Sequence, residues 1–140
     1  MFAAIRIPDF PLAAALRRQE SLPAPPCALA ERAHRASILA CLDDESRKQG
    51  LARGMATAQA LARCPALSIL ERDPAAEESA MAWLIAVGLG ISPRVEASEP
   101  GLVTVDLRGV LDRGLVGLQV AEQSRRAGIV LCAGISTTPD

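Results

Sequence analysis

Glu45 to Leu67 reads ESRKQGLARGMATAQALARCPAL. The spacing predicts a short helix ending at Gly50, a glycine turn at Arg53-Gly54-Met55, and a second small helix stopped by Cys64-Pro65. Just before it, Asp43 and Asp44 supply an N-cap for the helix through Lys48. Cys27 to Glu31 and Ile38 to Leu42 are apolar runs separated by Arg32-Ala33-His34-Arg35, and are expected to pair as strands. Leu67 to Leu70 reads as another short strand. This block is therefore a small α/β unit, entered through the proline-rich loop Leu22 to Pro26.

Outward from it, Phe2 to Ile7 is an apolar run read as a buried strand, ended by Pro8. Pro11 can open a helix that turns Leu12, Ala13 and Leu16 inward and Arg17 and Arg18 outward. Asp73-Pro74 is a helix start, with Met81, Leu84, Ile85 and Leu89 as its expected apolar stripe. Ile91 to Ala97 and Leu102 to Leu107 are extended, joined at Glu99-Pro100-Gly101 as a hairpin. Leu111 to Ala127 reads as a helix with Leu111, Leu115 and Leu118 on one face and Gly128 as its cap. Ile129 to Ile135 is a last strand. With residues 22–72 set aside, the order is strand, helix, strand, strand, helix, strand. The expected fold class is thus α+β, a ferredoxin-like βαββαβ antiparallel sheet with its helices on one face. The expected domains are 1–21 with 73–140 for that fold, and 22–72 for the insertion.

Composition narrows the function classes. The chain has 140 residues, half of them apolar, with Phe2, Phe10 and Trp83 its only aromatics. A formal net charge of −1 gives no global basic signal, so any nucleic-acid contact must come from local clusters such as Arg47, Lys48 and Arg53. Cys27, Cys41, Cys64 and Cys132 form no C-x-x-C pair, and His34 is the single histidine, which argues against structural zinc. Scattered cysteines, the lack of a signal-like start and the lack of an apolar run near ~20 residues predict a cytoplasmic protein away from membranes. His34, Cys41, Cys132 and the Asp43-Asp44-Glu45 triplet each admit a chemical role. A turn, buried thiols and a helix cap are the simpler readings.

Three segments together resemble the Y-family (translesion, UmuC/DinB-like) DNA polymerases. The first is the Glu45–Leu67 block, similar to the fingers of that family. The second is Ile91-Ser92-Pro93-Arg94-Val95-Glu96 with Val105-Asp106-Leu107-Arg108-Gly109, similar to its Ser-Pro-x-x-Glu and Leu-Asp-Leu-Thr-Gly motifs. The third is Ala133-Gly134-Ile135-Ser136. The resemblance implies a palm (the ferredoxin-like part) with a fingers insertion, and phosphate contacts from Arg47, Lys48 and Arg53.

The resemblance breaks at the catalytic acids. Such a polymerase needs carboxylates to hold two divalent ions. Laying Phe10 on the family's first motif puts Arg6 and Pro8 where its acids belong. Counting back from Asp106 puts Gly101 and Leu102 at the second acidic pair. The family's tyrosine over the triphosphate falls on Asp44. A frame kept without its acids resembles the ImuB group, which implies an adaptor in damage-induced mutagenesis that needs no cofactor of its own. The implied partners are weakly and non-specifically held DNA, the sliding clamp, an ImuA-type or RecA-like accessory protein, and an error-prone replicative-type polymerase. On this resemblance thumb, little finger and clamp-binding tail would lie beyond Asp140. Two alternatives stand beside it: an active error-prone polymerase whose acids lie elsewhere, and a ferredoxin-like regulatory or binding module.

Overall fold

The computed structural model describes residues 1–138; positions 139 and 140, the end of the segment expected to complete the palm, lie outside the described residues. Seven strands and five helices follow one another: β1 (Phe2–Arg6), α1 (Phe10–Arg17), β2 (Cys27–Ala33), β3 (Ala36–Leu42), α2 (Asp44–Lys48), α3 (Thr57–Arg63), β4 (Ser68–Glu71), α4 (Pro74–Leu89), β5 (Val95–Glu99), β6 (Leu102–Asp106), α5 (Gly114–Ala127) and β7 (Cys132–Ser136). They gather into two compact units. The first takes in Met1–Phe10 and the chain from Glu77 onward, and the second is Pro11–Ala76.

The first unit holds a four-stranded sheet in the order β5-β6-β1-β7, with every neighbouring pair antiparallel. With α4 and α5 as crossovers this is the split βαβ arrangement of a ferredoxin-like fold. Alternation along β1 buries Ala3 and Ile5 and leaves Ala4 and Arg6 exposed. So β1 is buried on one face only, rather than throughout as its composition suggests. Val103 and Val105 of β6 are buried on that same inner face. Helix α4 presses on it closely: a Cβ on Gly88 would stand 3.0 Å from the Val95 side chain and 3.3 Å from that of Val105.

On α4 the expected stripe is fully buried only at Leu84, with Met81 and Ile85 half-buried, and on α5 a face other than the expected one turns inward. Along α4 the buried positions are Ala76, Ala80, Leu84 and Val87, while Leu89 is exposed. Helix α5 starts at Gly114 and buries Val116 and Val120, leaving Leu111, Leu115 and Leu118 in solvent. Its Gly128 cap adopts a left-handed φ of +65°, as read from the sequence. Strand β7 edges the sheet and is exposed along its whole length.

The second unit holds the sheet β3-β2-β4, antiparallel between β2 and β3 and parallel between β2 and β4. Of the four residues expected to separate the first two strands, Arg32 and Ala33 belong to β2, and His34 and Arg35 form the turn, with His34 at a left-handed φ of +57°. One core cluster joins Leu39, Leu42, Leu51, Ala60 and Leu67. Another packs Leu12 and Ala15 of α1 against Leu29 of β2, with Ala13 less covered than expected. Among the described residues no helix is long and apolar enough to cross a membrane.

Candidate functional site

Strand register fixes which side chains share the outer face of the first unit's sheet. Residues directly opposite on antiparallel strands point the same way. Arg6 lies between Leu102 and Cys132, Ala4 between Thr104 and Gly134, and Phe2 between Asp106 and Ser136. A bulge between Ala97 and Glu99 brings Glu99 opposite Leu102. The face thus has an Arg6 end, a middle row of Ala4, Thr104 and Gly134 with Glu96 beyond Thr104, and a Phe2–Asp106 end.

The Arg6 end is where the sequence resemblance locates the metal ligands. The four positions singled out there are together: Arg6 pairs in register with Leu102, the Ile7 N–H donates to the Gly101 carbonyl at 2.8 Å, and Pro8 follows directly. Arg6 is exposed. Pro100 precedes Gly101, whose φ of +79° is what the third position of a type II turn requires. A Cβ at Gly101 would stand 2.6 Å from the Phe10 Cβ, so Phe10 occupies the space a side chain would need. This donor set does not fit a divalent cation: it offers a guanidinium, an isobutyl group, a thiol and a glycine, with one carboxylate, Glu99, a strand further out. Asp9 follows Pro8 with a left-handed φ of +47°. Among the described residues no group of three or more His, Cys, Asp or Glu side chains converges on a point that could hold a metal ion.

The opposite end carries a carboxylate with two arginines. Asp106 is nearly buried, its side chain 10% exposed. Its Oδ1 accepts the Arg108 backbone N–H at 2.9 Å, and its Oδ2 accepts Arg108 Nε at 2.8 Å and Nη2 at 2.6 Å. Arg94 Nη1 stands 3.8 Å from the same Oδ2. The Arg108 side-chain and backbone hydrogen bonds, helped by the charges of both arginines, pull the Asp106 carboxyl down from 3.8 to about 2. A cavity of about 320 Å³ opens here, lined by Phe2, Glu96, Thr104 and these three charged groups. Sequence reasoning uses Asp106 only as a landmark of its motif and does not single out Arg94 or Arg108.

In the second unit, Arg47 and Lys48 sit on α2, and Arg53 sits on the turn that follows. Asp43 is the N-cap: its Oδ1 accepts the Ser46 N–H at 2.8 Å and its Oδ2 accepts the Cys27 N–H at 2.8 Å. Ser46, fully buried, donates its hydroxyl to the Cys27 carbonyl at 2.9 Å. The acidic triplet is thus a cap that fastens α2 to β2. Burial, and secondarily the Asp43 charge, push the Cys27 thiol up, away from nucleophilic character. Arg47 pairs with Asp44 at 3.0 Å and Lys48 with Glu45 at 4.0 Å. Arg53 is exposed with no ion pair among the described residues. Arg63, absent from the sequence-based set, donates to the Gly50 carbonyl at 3.1 Å and closes the end of α2.

No curated protein sequence matches this chain. Among solved structures it is similar to the post-insertion binary complex of Dbh DNA polymerase, at a TM-score of 0.81 and 15% identity over 97% of this chain. It is similar also to the insertion ternary complex of Dbh DNA polymerase (TM-score 0.77, 16% identity, 97% of this chain). A third is DinB from Sulfolobus solfataricus (TM-score 0.76, 15% identity, 98% of this chain). The chain spans 42% of the length of each of these three. Its fold is the palm and fingers fold of Y-family polymerases. A family model matches residues 5–139, nearly the entire sequence, and the chain accordingly belongs to the impB/mucB/samB family.

Proposed function

We propose that this chain is a non-catalytic, polymerase-like domain of the ImuB type, an adaptor in DNA repair, translesion synthesis and damage-induced (SOS) mutagenesis. The observation that supports this reading is the Arg6 end of the sheet, where a cation and a sealed glycine lie together, at the positions to which the sequence resemblance assigns the family's acids. Two divalent ions and a triphosphate need anionic ligands, and a guanidinium repels the metal. In this reading residues 1–21 and 73–140 act as palm and 22–72 as fingers. Helix α1, which clusters with the second unit, makes the inner boundary the least sharp part of that division. Arg47, Lys48 and Arg53 touch DNA phosphates weakly and without sequence preference. The sliding clamp, a RecA-like accessory protein and an error-prone replicative-type polymerase are its partners in the cytoplasm.

The second reading, an active error-prone polymerase, draws on the bulge that turns Glu99 to the Arg6 face and on Asp9 beside it. Primer extension with magnesium and nucleotides separates the two, using this chain alone and within any longer polypeptide that carries it. The expected result is no template-dependent product. Extension that disappears on Glu99→Gln or Asp9→Asn would overturn the adaptor reading. Neither Arg6→Asp nor Gly101→Asp is expected to create activity. The first leaves the hairpin without acids. The second forces a side chain into Phe10 at a left-handed φ, at a cost of roughly 3 kcal/mol.

A further inference from the structure

The outermost strands of the two sheets are β5 and β7 in one and β3 and β4 in the other. An open edge recruits further strands unless charge, a bulge, shortness or a covering segment prevents it. Strand β5 carries Glu96 and Glu99 and a bulge between Ala97 and Glu99. Strand β3 is covered by residues 54–56. The Gly54 N–H donates to the Leu39 carbonyl at 2.8 Å, and the Leu39 N–H donates to the Met55 carbonyl at 2.9 Å. Strand β4 has four residues and ends on Glu71. Strand β7 differs from all three. It reads Cys-Ala-Gly-Ile-Ser, equals β1 and β6 in length, and is exposed at every position. Its pairing with β1 runs without a bulge. Residues 127–138 contain no charged side chain and no proline.

The register shows what this edge offers. The Ile7 N–H donates to the Gly101 carbonyl, and the Met1 carbonyl accepts the Leu107 N–H. Backbone groups alternate sides along a strand, so odd-numbered residues of β1 serve β6 and even-numbered ones serve β7. Opposite Arg6, Ala4 and Phe2 stand Cys132, Gly134 and Ser136. Ala133 and Ile135 therefore turn their N–H and C=O groups away from β1. Their side chains lie on the inner face, in register with the fully buried Ile5 and Ala3, yet Ile135 is 50% exposed. A strand laid beside β7 would satisfy those amides and cover that side chain.

We propose that two copies of this chain pair antiparallel along β7, about a twofold axis at Gly134, and join their four-stranded sheets edge to edge. The strand is complementary to itself in that register. Ala133 faces Ile135 of the second copy as a hydrogen-bonded pair, Cys132 faces Ser136, and Gly134 faces its own equivalent. No opposed pair carries charge, so the like-charge repulsion that two β5 strands would meet is absent. The guarded β5 edges lie at both ends of the joined sheet, so the assembly closes at two copies. This pairing goes beyond the adaptor reading and does not depend on it.

The test is sedimentation velocity of the 140-residue chain from about 1 μM to about 500 μM. The unmodified chain should pass from monomer to dimer within that range. Charge is then placed on the axis. A Cβ at Gly134 meets nothing within 4 Å, so a side chain fits the monomer, and in the dimer it stands ~5 Å from its equivalent. Gly134→Lys and Gly134→Glu should each raise the midpoint concentration about fivefold at low salt. Mixing the two variants in equal amounts should bring the midpoint back to that of the unmodified chain or below it, a recovery that misfolded variants cannot give. A chain that stays monomeric throughout would overturn the proposal. So would a dimer whose midpoint neither variant moves, as expected if the exposed Leu115 and Leu118 of α5 formed the contact instead.

Discussion

The two basic groups of this chain differ in how their charge is balanced. Arg47 and Lys48 lie side by side in sequence, and each has its own acid one helical turn back, at Asp44 and Glu45. Arg94 and Arg108 lie fourteen positions apart and share Asp106. The α2 group is basic along the chain and locally neutral in space. The sheet group is inconspicuous along the chain; in space its two cations share Asp106, and Glu96 lines the same cavity. A cluster of cations in a sequence thus says little about surface potential until the acids folded against it are counted. Exposed pairs such as those on α2 contribute about 0–1 kcal/mol each, and they hold their cations back from other anions.

The largest effect is expected where the α2 group is anchored. Asp43→Ala removes the cap and leaves the Cys27 N–H without its acceptor. Urea melts should show a loss of about 2 kcal/mol, with α2 and its two ion pairs disordered first.

Next comes Asp106, where the comparison can be sharpened by pH. Its folded pKa lies near 2, below the ordinary 3.8. The stability it contributes is therefore fully present above about pH 4 and is lost as pH falls through about 2. Asp106→Asn should flatten that acid limb, measured by thermal melts across the same window. An unchanged limb would mean that the pairing with Arg108 is not kept in solution.

Smaller still are the surface substitutions on the fingers-like side. Arg47→Ala should change stability by no more than about 0.5 kcal/mol. In oligonucleotide binding, Arg53→Ala should lower the salt slope more than Arg47→Ala or Lys48→Ala, because only Arg53 lacks an acid partner among the described residues. Equal effects from all three would show that the α2 ion pairs open on binding, and would erase the contrast between the two groups.

Local chemistry made much of the fold legible. Asp43 caps α2 and Asp73 caps α4, where its Oδ1 accepts the Ala76 N–H at 3.0 Å. Pro100-Gly101 turns the hairpin, and Gly128 closes α5. Each acts within a few residues of itself, so the sequence carries the whole signal. The helix faces are a different matter. On α5 the leucines at 115 and 118 and the valines at 116 and 120 form two apolar stripes a fraction of a turn apart. The sheet selects the valines, and helical period alone contains no preference between them. On α4 alanines carry half of the buried stripe, and Gly88 is where the helix comes close to the Val95 and Val105 side chains of the sheet. At the candidate site, Arg6, Pro8, Gly101 and Leu102 are singled out by the resemblance alone. The Phe10 side chain against Gly101 has no such signal, because it depends on how the strand leading to α1 meets the hairpin. Arg94 and Arg108 become neighbours only when β5 and β6 pair.

The division of the chain also sets an order of assembly. The second unit is one uninterrupted stretch, Pro11–Ala76, whose strands find partners within about forty residues. The first unit is split around it. Strand β1 is made before the second unit, yet it pairs with β6 at Leu102–Asp106 and β7 at Cys132–Ser136. Closing loops of that length costs entropy before any contact returns it. During synthesis the fingers-like unit can therefore be complete while β1 still waits, its apolar residues uncovered, for strands made about a hundred residues later. The outer face that carries Arg6, Arg94 and Arg108 exists only after that wait ends, so it forms later than the sheet of the second unit can.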